Sequence, residues 1–172
     1  MNFFELFGMP LQFLIDKTAL KKKYLELSKQ SHPDYFVQQT TQQQETALQT
    51  SAELNKAYKT LTNKSEIIAY VLRLKGLLAT DEKYELPPEF LLRMMEVNEQ
   101  LAEANMDDDV NGKAAIYQQL EQMENEIYEP VKEIIENYKD EVTTEEELLQ
   151  VKDYYFKRKY LQRLRQQLQE KL

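Results

Sequence analysis

The one histidine of this 172-residue chain stands in the tripeptide His32-Pro33-Asp34. An imidazole and a carboxylate two residues apart are a general base and its orienting group in outline. That chemistry also needs a nucleophile, an oxyanion donor and a cleft. The spacing argues against it. Pro33 lacks an N–H and pushes the residue before it out of the helical region, so both side chains share one exposed turn. The plainest reading is a helix end, with a histidine near the dipole and a proline stop. The functional reading is recognition, in which a rigid turn presents an imidazole and an acid to another protein. A second group lies further on. Leu92, Met95, Glu96, Glu99 and Glu103 follow at i, i+3, i+4, i+7 and i+11, with Leu91 alongside. On a helix they form a stripe that is apolar at one end and acidic at the other. Such a stripe either widens a core contact or is a docking face for a partner with an apolar patch and a basic rim.

Composition narrows the chemistry further. The chain has no cysteine, which excludes disulfides, Cys-ligated zinc and a self-held iron–sulfur cluster. One histidine leaves little for a buried transition-metal site, so neither metal nor cofactor is expected. With 42% apolar and 30% charged residues, three glycines and five prolines, an all-helical globular chain is predicted. No apolar run is long enough to span a membrane. The start, Met1 to Phe7, lacks the basic segment of a signal peptide and carries Glu5, so a cytoplasmic location is expected. The net charge of −8 is uneven: residues 1–75 hold ten Lys/Arg against seven Asp/Glu, and residues 76–172 hold twelve against twenty-three. This split predicts two modules facing different partners. Lys21-Lys22-Lys23 is too small a basic cluster for a nucleic-acid interface on so acidic a chain.

The elements that would carry these residues are legible as helical stripes. Phe3, Phe4, Leu6 and Phe7 make one or two turns, closed by Gly8-Met9-Pro10. Asp16 is a helix N-cap, and Leu20, Tyr24 and Leu27 form one inward stripe, with Lys21, Lys22 and Lys29 projecting elsewhere. Residues 35–44 read as a polar loop. Ala47, Ser51, Leu54, Tyr58 and Leu61 then mark a helix from Thr46 to Leu61, paired antiparallel with the one before. A shorter helix, Ser65 to Leu74, turns Ile67, Ile68, Val71 and Leu72 inward. Gly76 to Pro88 is the boundary between modules. Beyond it Phe90, Met94, Val97 and Leu101 predict a helix over Glu89–Ala104. Asp107-Asp108-Asp109 and Gly112 mark a turn. Ile116, Leu120, Met123, Ile127, Ile134 and Tyr138 predict a long helix, kinked at Pro130. Thr143 or Thr144 before three glutamates starts the last helix, with Val151, Tyr154, Leu161, Leu164, Leu168 and Leu172 inward. Three such stripes bury one another in a three-helix bundle.

The order of these features resembles two parts of a known family. Asn2 to Pro10, the helix with Leu20, Tyr24 and Leu27, the tip His32-Pro33-Asp34 and the stretch Leu54 to Leu61 resemble the J-domain, the module that binds DnaK-class chaperones and stimulates their ATPase. The resemblance covers residues 1–75 and implies that His32, Pro33 and Asp34, with Lys21 and Lys22, contact the chaperone. Many J-domains carry a basic residue after the aspartate. Here it is Tyr35, while Phe36 keeps the expected aromatic position. A J-domain, a linker over 76–88 and a three-helix bundle over 89–172 together resemble the HscB family, co-chaperones of iron–sulfur cluster assembly. That resemblance implies an HscA-like chaperone and an IscU-like scaffold as partners. It also implies that Leu91, Leu92, Met95, Glu96, Glu99, Glu103 and Tyr160 contact the scaffold. No enzymatic activity and no bound cofactor are implied, because the scaffold would supply the cluster's thiolates.

Three rivals remain on the residues alone. A J-domain adaptor with another client would share the first half and differ at the face around Met95 and Glu99. A helical hydrolase would need a cleft with perturbed carboxylates. A structural coiled-coil protein would self-associate through its last helix.

Overall fold

The computed structural model describes residues 1–170, so Leu172 of the last predicted stripe lies outside the described residues. Among the described residues eight α-helices run α1 Phe3–Leu6, α2 Lys17–Ser31, α3 Thr41–Thr62, α4 Lys64–Leu74, α5 Pro88–Met106, α6 Val110–Tyr128, α7 Lys132–Glu136 and α8 Glu145–Glu170. Single 3-10 turns stand at Pro33–Phe36 and Glu129–Val131. The fold is all-α, and no strand occurs among the described residues. The chain divides into two compact units: residues 1–71 with 138–142 form the first, and the second holds the rest.

In the first unit α2 and α3 form the antiparallel pair. Asp16 caps α2 as expected, its carboxylate accepting from the amides of Thr18 and Ala19. Leu20, Ala47, Leu54, Ala57 and Leu61 are buried. Tyr24 stacks on Tyr58 at 4.2 Å between ring centroids, and its hydroxyl donates to Asn55 Oδ1 at 2.6 Å. The polar loop is shorter than the sequence predicts. Thr40 and Gln43 make a capping box, so α3 begins at Thr41 and takes in the glutamine run. Periodicity misses that first turn because it carries no apolar residue to mark it. Tyr138 packs edge-on against Phe13 at 5.1 Å, an intra-unit contact across the chain that local patterning does not anticipate.

The second unit is the bundle of α5, α6 and α8. Its core joins Phe90, Met94, Val97 and Leu101 to Ile116, Leu120 and Met123, and to Leu161, Leu164 and Leu168. Gly76 closes α4 at φ +72, a conformation glycine adopts without strain, while the Leu77 amide returns to the Leu72 carbonyl at 2.9 Å. Gly112 is not in the turn that the sequence reading gives it. Asp109 caps α6 by accepting from the Gly112 amide at 3.0 Å, which puts Gly112 in the first helical turn. The predicted kink at Pro130 is a break. Pro130 lies in a 3-10 turn, and the chain resumes as the short α7. The tighter turn shifts the helical phase, so Val131 and Ile135 are buried while the predicted Ile134 is half-buried. Thr144 and Glu147 cap α8 reciprocally, with Glu147 N to Thr144 Oγ1 at 3.2 Å and Thr144 N to Glu147 Oε1 at 3.0 Å. The segment 76–88, read as a linker, is packed. Leu78 is buried, and Tyr84 stacks on Phe156 of α8 at 4.5 Å.

Candidate functional site

The tip of the first unit is built by the end of α2. His32 leaves the helix with ψ 129, as expected for a residue before proline. Its ring turns back over the 3-10 turn, and Nδ1 accepts from the Asp34 amide at 3.2 Å. The His32 carbonyl accepts from the Tyr35 amide at 3.0 Å. Nδ1 also lies 3.5 Å from Asp34 Oδ2. The turn thus holds the imidazole and the Asp34 carboxylate side by side at the surface. The side chains are 52% and 85% exposed for His32 and Asp34. Pro33 is half-buried and stiffens the turn between them. Gln44 secures the loop from α3, donating from Nε2 to the carbonyls of Val37 and Gln39 at 2.9 and 3.1 Å.

The exposed face of α2 runs into this tip. Lys22, Leu25, Lys29 and His32 follow at i, i+3, i+7 and i+10, with the exposed Lys21 beside them. Leu25, Lys29 and Tyr35 join His32 and Asp34 around a shallow hollow. Tyr35, the residue in place of a basic one after the aspartate, lines this surface, and so does Leu25, to which sequence reasoning assigned no part in it. The available signal was that Leu25 falls off the inward stripe of Leu20, Tyr24 and Leu27.

In the second unit α5 starts on Pro87-Pro88, and Phe90, Met94, Val97, Leu101 and Ala104 take its inner face. The outer face carries the other residues singled out in the sequence. Leu91, Leu92 and Met95 are 38%, 59% and 58% exposed. Glu96, Glu99 and Glu103 are also exposed. Arg93 is drawn to the opposite flank by Glu126 at 3.0 Å, so its charge is not spent on that acidic row. Tyr160 comes from α8, half-buried, with its ring edge-on to Phe90 at 6.2 Å. Leu91 and Tyr160, remote in sequence, line the same groove. Segment 82–86 walls it. Glu82 is bound by Lys152 at 2.7 Å, and that hydrogen-bonded ammonium holds the Glu82 carboxyl below the usual carboxylate range. The Tyr84 hydroxyl donates to Asp153 Oδ1 at 2.9 Å. Burial, then that bond to a carboxylate, pushes Tyr84 up to about 12.

No group of three or more His, Cys, Asp or Glu among the described residues could hold a metal ion. No helix among them is long and apolar enough to cross a membrane.

Comparison with known proteins adds a lineage to this geometry. The HSCB C-terminal oligomerisation domain matches residues 86–169. The co-chaperone protein HscB homolog of Cupriavidus taiwanensis is 33% identical over 126 residues, 73% of this chain and 72% of that protein. The homolog of Psychromonas ingrahamii is 43% identical over 109 residues, 63% of this chain and 64% of that one, so the match spans just under two thirds of that relative. The solved structure of the chaperone HscB from Vibrio cholerae covers 99% of this chain at a TM-score of 0.78 and 27% identity, with 96% of that chain covered. Human co-chaperone protein HscB covers 99% at a TM-score of 0.83 and 25% identity, with 82% of that chain covered.

Proposed function

Because the chain belongs to the HscB family of co-chaperones, we propose that it brings an IscU-like cluster scaffold to an HscA-like, DnaK-class chaperone and stimulates that chaperone's ATPase. In this reading residues 1–75 are the J-domain and residues 89–172 the scaffold-binding bundle, joined by segment 76–88. His32, Pro33 and Asp34 dock on the chaperone with Lys21 and Lys22. Leu91, Leu92, Met95, Glu96, Glu99, Glu103 and Tyr160 hold the scaffold. The chain does no covalent chemistry; it is a bivalent adaptor that raises the effective concentration of scaffold near the chaperone. Work in the cytoplasm fits an adaptor of this kind.

The observation that carries the reading is the outer face of α5. Two large apolar side chains, Leu92 and Met95, stand more than half exposed in line with three glutamates. An isolated bundle gains nothing by exposing them together, whereas a partner with an apolar patch and a basic rim desolvates the pair and meets the acids. The deciding experiment uses the full chain with Leu92→Ala and Met95→Ala together. Titration with an IscU-type scaffold should show affinity lower by roughly thirtyfold, the effect of losing ~2 kcal/mol at an apolar anchor. The melting temperature and the scaffold-independent stimulation of the chaperone should stay as in the parent. Normal scaffold binding by a folded double variant would refute this face and leave a J-domain adaptor for another client.

A further inference from the structure

We propose, building on the scaffold-binding reading, that the docking face has two poles, and that the groove beside Leu91 receives an acidic group of the same partner. The groove's α8 wall is a single stripe. Phe156, Lys159, Tyr160 and Arg163 follow at i, i+3, i+4 and i+7, so aromatic and basic groups alternate along one face. Arg163 lies over the Tyr160 ring at 5.9 Å, and Lys159 over the Tyr155 ring at 5.3 Å. Neither cation has a carboxylate partner among the described residues. On the same helix Lys152, Lys157 and Arg165 are taken by Glu82, Asp153 and Glu124 at 2.7, 2.7 and 2.9 Å. Two acids also line the groove, but Lys152 neutralises Glu82, leaving Glu85 against two free cations.

The two poles are ordered along α5. Leu91 adjoins the basic groove, Leu92 and Met95 follow, and Glu96, Glu99 and Glu103 run toward the C-terminal end. From Leu91 to Glu103 the helix rises about 18 Å. A partner bound here meets cations, then an apolar centre, then anions. It must therefore present a carboxylate, an apolar knob and a basic rim in that order. The pattern sets the direction of docking as well as its strength, because a reversed partner would set like charges together at both ends.

The test is scaffold binding by the full chain carrying Lys159→Glu with Arg163→Glu, beside the neutral Lys159→Gln with Arg163→Gln and the Leu92→Ala, Met95→Ala variant. Charge reversal should weaken binding about tenfold at low salt, neutralisation less, and added salt should narrow the gap. Circular dichroism verifies the fold; if the reversed chain is destabilised, the neutral pair decides. If the charge variants bind like the parent or better while the apolar variant loses binding, the acid-receiving groove is wrong and the apolar face stands. If all variants bind like the parent, the docking face itself is wrong.

Discussion

At the residue scale, neighbours in the sequence are expected to behave in opposite ways. Met94 is fully buried and Met95 is more than half exposed, one residue apart on α5. Met94→Ala should cost about 2–5 kcal/mol of folding stability, through lost burial and the cavity left behind. Met95→Ala should leave stability within about 0.5 kcal/mol. Two denaturant titrations compare them, and a large loss for Met95→Ala would make it a packing residue. At the tip, His32→Gln or Asp34→Asn should abolish stimulation of the chaperone's ATPase. Because the His32 ring only caps a surface turn, its removal should cost at most about 1 kcal/mol. A collapse in helicity on His32→Gln would show instead that the imidazole is structural.

At the element scale, the caps decide where helices begin, and one of them inverts an ordinary expectation. Replacing glycine by alanine inside a helix is normally favourable by about 1 kcal/mol. A Cβ on Gly112 would sit 2.5 Å from Asp109 Oδ2, the carboxylate that caps α6. Gly112→Ala should therefore gain nothing and should lose up to about 1 kcal/mol as the cap is displaced. Thermal melting tests this, with Asp109→Ala as the reference: on that background, where the cap is already gone, Gly112→Ala should recover its normal gain. A clear rise in melting temperature for Gly112→Ala alone would show that Asp109 swings aside at no cost.

At the scale of the whole molecule, four tyrosines are expected to tie folding stability to alkaline pH. Burial is the leading cause that raises Tyr70, Tyr84, Tyr128 and Tyr154 above the usual phenol range, Tyr84 to about 12. A phenol raised in the folded state stabilises it fully below the unfolded value of 10.0, and that contribution is lost as pH rises toward 12. Folding stability should therefore fall over this window, followed by tyrosinate absorbance alongside helicity. Tyr84→Phe should fall less steeply there. An unchanged slope would mean that Tyr84 is neither buried nor bonded to Asp153 in solution.

Local chemistry carried much of the design into the sequence. Asp16, Thr144 and Pro33 set helix ends through groups within three residues, and the stripes of α2, α4, α5 and α8 needed only helical spacing. The tip and the acidic row were legible for the same reason, since each lies within one turn or one helix. Where no apolar residue marked a turn, as at Thr41–Gln44, periodicity was silent. Where a 3-10 turn changed the phase, as at Pro130, it selected Ile134 over Ile135. Tertiary structure alone decided which apolar residues stay in water, because exposure depends on the helices that arrive from elsewhere. It left Leu92 and Met95 uncovered and set Leu91 beside Tyr160. It also latched Tyr84 to Asp153, 69 residues away, turning a stretch that reads as a tether into the wall of a groove. Spacing along one helix cannot encode such a contact; it exists only once α8 has packed.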